Sequence, residues 1–260
     1  MSAASAWDDP ALTGALGERL ADDLRSIARA YAAGDERSQQ THLGPSQIGN
    51  PCTRCLARHV LGMAVERDFD DPWCRILGTA AHAWLEEAAA FDNIHTVRDA
   101  ARWKPETRVQ PHPDLLPSGG KADLYDAHTK TVIDHKVVGA EPLRKYRLNG
   151  PGPQYRTQAH LYGLGYHRLG VAVENVAVAF WNRGGRLSDL YVWTEPWDVQ
   201  IAMDALERYR TIRDQAEAIG PQLIPLLPAH PDCWDCGGKD VSADELAVIN
   251  NPAPIDPIPA

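Results

Sequence analysis

The stretch 119–138, GGKADLYDAHTKTVIDHKVV, constrains the fold more than any other part of the chain. Two runs suited to strands, 121–126 and 131–138, flank Ala127-His128-Thr129-Lys130, which predicts an antiparallel hairpin with a four-residue loop. With Asp126 opposite Thr131, Asp123 stands opposite Asp134. Like charges so placed destabilise a sheet, so a cation belongs between them. Lys136, two residues beyond Asp134, emerges on the same face. Two carboxylates and an ammonium at one spot match a divalent-metal site for phosphodiester hydrolysis. The alternative is the solvent-facing polar side of an edge hairpin.

Cysteine spacing supplies the second constraint. Cys52 and Cys55 form one Cys-x-x-Cys pair, and Cys233 and Cys236 form another far along the chain. Two such pairs can close a tetrahedral thiolate site, suited to zinc or to an iron–sulfur cluster, that staples the two ends of the core together. Small buried hydrophobes are the alternative. His230 is a reserve ligand, and Cys74, beside Trp73, is expected to pack in the core. An odd total of 5 cysteines behind a start (MSAASAWDDP) that lacks the order of a signal peptide argues against a disulfide framework and for a cytoplasmic setting. No apolar run reaches the length of a membrane span.

The remaining elements frame these two features. Asp9-Pro10 starts a helix with apolar residues Leu16, Leu20, Leu24, Ile27 and Tyr31 that runs to Gly34, a packing or oligomer helix followed by a polar linker. A short helix follows Cys52. Thr79 is expected to cap a helix with Ala81, Trp84, Leu85 and Ala88 as its apolar stripe, placing His82 near the stripe's edge. A lone histidine there is a satisfied core residue unless a metal site lies nearby. Segment 102–109 reads as a strand, 141–153 as a basic loop, and 154–170 as a helix on which Gln158 and Tyr162 share a face. Segments 171–181 and 190–193 read as interior strands, and 197–219 as a second long helix ended by Gly220-Pro221. At 260 residues the chain is expected to divide into an N-terminal helix and linker (1–40), a catalytic domain (41–239) and a proline-rich, disordered tail (240–260).

A net charge of −9 excludes bulk electrostatic coating of nucleic acid. Contact with DNA must rely on cations and on a local patch, supplied here by Arg144, Lys145, Arg147, Arg156 and Arg168.

In order, Gly78-x-x-x-His82, Gly120-x-x-Asp123, Asp134-x-Lys136 and Gln158-x-x-x-Tyr162 resemble the RecB-like branch of the PD-(D/E)XK nucleases. With PSQIGNPCTRC near the start and a late cysteine pair, the chain is similar to the CRISPR-associated and phage-type exonucleases of that branch, over roughly residues 43–236. The resemblance implies an α/β restriction-endonuclease-like core, a mixed central sheet flanked by helices, and hydrolysis of DNA at ends, single strands or flaps, in recombination, repair or replication. It implies Mg²⁺ or Mn²⁺ held by His82, Asp123, Asp134 and the main-chain carbonyl of His135. Lys136 would orient or activate water, and Gln158 and Tyr162 would hold DNA, helped by the basic patch. It also implies a [4Fe-4S] cluster on Cys52, Cys55, Cys233 and Cys236, although the family places one cysteine before the core and three after, whereas this chain has two on each side; zinc stays open. A non-catalytic DNA-end binding protein, an iron–sulfur or zinc scaffold, and a homo-oligomer or replication partner are the other expectations carried forward.

Overall fold

The computed structural model describes residues 10–34, 43–63, 71–233 and 235–236. The cap expected at Asp9, the linker after Gly34 and the proline-rich tail lie outside these residues. Residues 10–34 and 71–76 belong to one compact unit, and 43–63 with 77–236 to a second. Helix α1 (Pro10–Gly34) shows the expected periodicity, with Leu24, Ile27 and Tyr31 exposed.

The second unit is a mixed α/β structure. Its helices are α2 (Pro45–Ile48), α3 (Thr53–Val60), α4 (Trp73–His95, of which 77–95 lie here), α5 (Ala140–Asn149), α6 (Gly152–Arg168) and α7 (Val199–Ile219). They flank a five-stranded sheet of β1 (Trp103–Val109), β2 (Gly120–Asp126), β3 (Thr131–Val138), β4 (Asn175–Asn182) and β5 (Tyr191–Pro196), paired in chain order. All neighbours are antiparallel except β3 and β4, which run parallel and need the crossover that α5 and α6 provide.

The hairpin forms as the sequence predicts. Asp126 closes its loop: the Arg102 fork donates to both carboxylate oxygens (2.9 and 2.7 Å), the His128 amide to Oδ1 (3.0 Å) and the Thr129 hydroxyl to Oδ2 (2.8 Å). Burial alone would raise this carboxyl; the donors outweigh it and hold it at about 2. Arg102→Ala leaves a buried carboxylate short of its fork, and should cost about 3 kcal/mol in denaturant unfolding at neutral pH. Because the folded pKa lies below the unfolded one, Asp126's contribution is complete above about pH 4 and is lost as pH falls toward 2. The difference between wild type and variant should therefore shrink in acid; a difference independent of pH would sink this assignment.

The core is built in layers from the sheet outward. Tyr125, Val132, Val176, Val178 and Phe180 pack against Ala159, Tyr162 and Tyr166 of α6. Helix α6 in turn buries Leu161 and Leu164 against Leu206 and Tyr209 of α7, with Ile48 of α2. Gly163 permits a close approach in this layer, since a Cβ there would lie 2.4 Å from Nε1 of Trp197. Leu56 and Ala57 of α3 then meet Ile212 and Ile224.

Several expectations are corrected. Helix α4 begins at Trp73, not at Thr79, because Asp71 accepts from the Trp73 amide (2.9 Å) and Pro72 precedes the first turn. Trp84, placed on its apolar stripe, is 61% exposed, and Cys74 is exposed rather than in the core. The basic loop at 141–153 is largely helix α5: Pro142 sits in a first turn, where proline is tolerated, and Gly150, at φ 74°, ends the helix. Strand β5 lies at the sheet edge rather than inside. Among the described residues no helix is long and apolar enough to cross a membrane.

Candidate metal centre

The site sits where the sheet splits. Strands β2 and β3 pair only from Leu124↔Ile133 to Asp126↔Thr131. The ladder stops one step short of Asp123 and Asp134, so the expected opposition of these two acids is not a backbone pair. The β1–β2 ladder also skips Asp123, whose neighbour across the gap, Glu106, has φ 46°. A left-handed backbone costs a non-glycine residue about 1 kcal/mol and is typical of functional sites. In place of a ladder bond, the His135 amide donates to Oδ2 of Asp123 at 2.7 Å. Beyond the split, β2 stays with β1 and β3 stays with β4, which leaves a cleft lined by acids.

Five elements contribute to it: α4, β1, β2, β3 and α6. From α4, His82 Nδ1 stands 3.3 Å from Oδ1 of Asp123. Glu106 comes from β1, and ligand atoms of His82, Glu106 and Asp123 all lie within 4.8 Å of one another. From β3, Asp134 lies outside that set but beside it, with Lys136 Nζ 2.7 Å from its Oδ2. The Lys136 ammonium also rests 5.0 Å from the centre of the Tyr155 ring on α6, which limits where it can point.

The electrostatics separate the two aspartates. Burial drives the Asp134 carboxyl up to about 6; the charge of Asp123 adds to this and Lys136 opposes it. Burial would raise Asp123 as well, but His82, Lys136 and the His135 amide bring it below the usual carboxylate range. Burial lowers His82, yet contact with Asp123 outweighs this and raises it. The His135 imidazole is pushed down to about 4 by burial, so it is neutral; its Nδ1 accepts from Trp181 Nε1 (3.3 Å) and its ring meets His82 edge-on at 6.0 Å.

A divalent cation fits these donors. Asp134 is 1% exposed, and neither of its carboxylate oxygens receives a well-directed hydrogen bond among the described residues. A buried carboxylate in that condition is costly unless a cation completes it. One imidazole with hard carboxylate oxygens suits Mn²⁺ or Mg²⁺.

His82, Asp123, Asp134 and Lys136 are thus brought together, whereas Gln158 and Tyr162 are buried, at 4% and 7% exposure, and offer no surface grip. Gln158 Nε2 donates to the Tyr162 hydroxyl (3.3 Å), and burial together with the charges of Asp134 and Asp123 pushes that phenol upward. Tyr162 also explains the glycine of Gly120-x-x-Asp123: a Cβ at Gly120 would lie 2.8 Å from the ring and 2.9 Å from Pro45. Of the basic patch, Arg144 and Lys145 are exposed on α5, Arg147 donates to the Asp189 carbonyl (2.8 Å), and Arg156 is paired with Glu195 (2.6 Å).

Glu106 is the residue that sequence reasoning missed. Its buried carboxylate is also ion-paired with Lys121. Glu106→Gln should weaken Mn²⁺ binding about tenfold to a hundredfold, read by calorimetric titration; an unchanged titration would remove Glu106 from the ligand set.

The cysteines form a separate site. Cys52, Cys55, Cys233 and Cys236 converge, with all four sulfurs within 4.8 Å of one another. The reserve ligand His230 is not among them: its amide points at Cys52 Sγ (3.5 Å), and its Nδ1 accepts from the Asp232 amide.

No protein-family model and no curated protein matches the sequence. Among solved structures the chain is similar to an alkaline exonuclease from Laribacter hongkongensis, with a TM-score of 0.48 and 13% identity over 70% of this chain and 91% of that one. The same exonuclease in complex with dAMP gives a TM-score of 0.47 and 14% identity over 70% and 90%. A phage-related exonuclease from Haemophilus somnus 129PT gives 0.39 and 14% over 64% and 81%.

Proposed function

We propose that the chain is a metal-dependent deoxyribonuclease of the RecB-like PD-(D/E)XK type, an exonuclease that hydrolyses phosphodiester bonds at DNA ends, single strands or flaps during recombination, repair or replication. The observation that carries this is the meeting of His82, Glu106 and Asp123 with the Asp134–Lys136 pair at the split in the sheet. A structural ion pair needs no third carboxylate, no histidine and no interrupted ladder.

His82, Glu106, Asp123 and Asp134, with the main-chain carbonyl of His135, would hold Mg²⁺ or Mn²⁺. When bound, such an ion acidifies water and neutralises charge developing on the phosphate. Lys136 places a positive charge beside the reacting group, and Tyr155 and Asp134 fix its direction. Gln158 and Tyr162 brace this wall of the cleft from within. Exposed Arg144 and Lys145 on α5 contact the DNA backbone, with Arg147 and Arg156 as further phosphate partners once their present contacts are exchanged.

Incubation with linear single-stranded, linear duplex, flap and covalently closed circular DNA tests this. The linear or branched substrates should be shortened and the closed circle left intact. Cleavage of the circle would overturn the exonuclease assignment, and binding without cleavage of any substrate would leave a DNA-end binding protein.

A further inference from the structure

The four cysteine sulfurs stand closer together than a four-iron cluster allows. Sγ of Cys55 lies 3.4 Å from Sγ of Cys233 and 3.3 Å from Sγ of Cys236, within a set that spans no more than 4.8 Å. A single tetrahedral Zn²⁺ with Zn–S bonds of about 2.3 Å sets its thiolates about 3.8 Å apart. In a four-iron cube each thiolate holds a separate iron and points away from the centre, which spreads the sulfurs to roughly 6 Å. The observed spacing lies nearer the first than the second.

The surroundings hold the sulfurs at this spacing. The Gly49-Asn50-Pro51 turn fixes Cys52, because Asn50 Oδ1 accepts from the Cys52 amide (2.9 Å) while Arg208 of α7 donates to the Asn50 and Pro51 carbonyls (2.9 and 3.1 Å). Arg54, between the first two cysteines, donates to the Leu227 carbonyl (3.3 and 3.1 Å) and ties their helix to the segment carrying the other pair. Buried Arg58, one turn after Cys55, donates to Cys236 Sγ at 2.7 Å, and such a charge-assisted contact suits a site whose four thiolates exceed the charge of one divalent ion.

We propose that Cys52, Cys55, Cys233 and Cys236 bind a single structural zinc ion and not an iron–sulfur cluster. Binding takes the thiols as thiolates and releases their protons to solvent, with no change of oxidation state. The ion closes a loop between residues 181 positions apart, so it locks the ends of the core without entering the carboxylate cleft.

The full chain, produced in cells supplied with both iron and zinc and purified without air, should carry about one zinc ion per chain and no acid-labile sulfide. The doubly substituted Cys55→Ser, Cys236→Ser chain should lose that zinc, whereas Asp134→Asn should keep it. Should the double variant fail to fold, cobalt exchanged into the wild-type chain gives a second readout, the visible bands of tetrahedral thiolate coordination. Stoichiometric iron with sulfide would overturn the proposal. So would a metal-free chain whose cysteines are oxidised to disulfides, or zinc that survives the double substitution.

Discussion

Asp134→Asn should lose on the order of a thousandfold in DNA cleavage while making the metal-free protein more stable. Asparagine keeps the shape of the side chain and removes a charge that burial opposes strongly enough to raise the carboxyl to about 6. At pH 8 that charge works against folding by roughly 3 kcal/mol. Lys136, left without its partner, is 19% exposed and can turn to water. The sign follows from the raised folded pKa: the folded chain holds this proton more tightly than the unfolded chain. Stability of the metal-free wild type should therefore fall as pH rises from about 4 through 6, and the difference from Asp134→Asn should open over that window. Chemical denaturation at several pH values, in chelator, measures it. If Asp134 were only half of a structural ion pair, the variant would be destabilised at pH 8 instead.

Lys136→Met should reduce cleavage about a hundredfold to ten-thousandfold and leave Mn²⁺ binding intact or tighter. Methionine keeps an unbranched side chain but removes a positive charge 2.7 Å from Asp134 and 5.0 Å from the centre of the Tyr155 ring. That charge competes with a cation for the same carboxylate, so its loss favours the metal even as the chemistry fails. The two variants thus separate: Asp134→Asn removes a proposed metal ligand and should weaken Mn²⁺ binding along with cleavage, whereas Lys136→Met should lose cleavage alone. Single-turnover digestion beside Mn²⁺ calorimetry reads both quantities, and a Lys136→Met chain that cuts normally would take Lys136 out of the chemistry.

Much of this site is legible in the sequence because a hairpin has a period of two and a short loop. Asp126 and Thr131 set the register, and Asp134 and Lys136 then share a face without any knowledge of the tertiary structure. The break in both ladders at Asp123 is not legible, since nothing in WKPETRV announces the left-handed backbone of Glu106 and nothing in the hairpin announces the bond from the His135 amide to the Asp123 side chain. Glu106 was missed for that reason. The start of α4 could have been found, since Asp71-Pro72 repeats the Asp9-Pro10 signal. Helix α5 was hidden by the prolines and glycines around it, although Pro142 in the first turn and Gly150 past the end are normal helix punctuation. Exposure of Trp84 depends on which part of α4 the sheet covers, which helical spacing cannot say. The cysteine spacing announced a tetrathiolate site, and the four sulfurs do converge.

The most direct test of the carboxylate cleft is digestion of end-labelled linear DNA by the wild-type chain in Mn²⁺, with excess chelator in a parallel reaction. The label should be released in Mn²⁺ and retained in chelator. DNA that stays intact in Mn²⁺, or is shortened equally in both, would contradict a metal-dependent site built on His82, Glu106, Asp123 and Asp134.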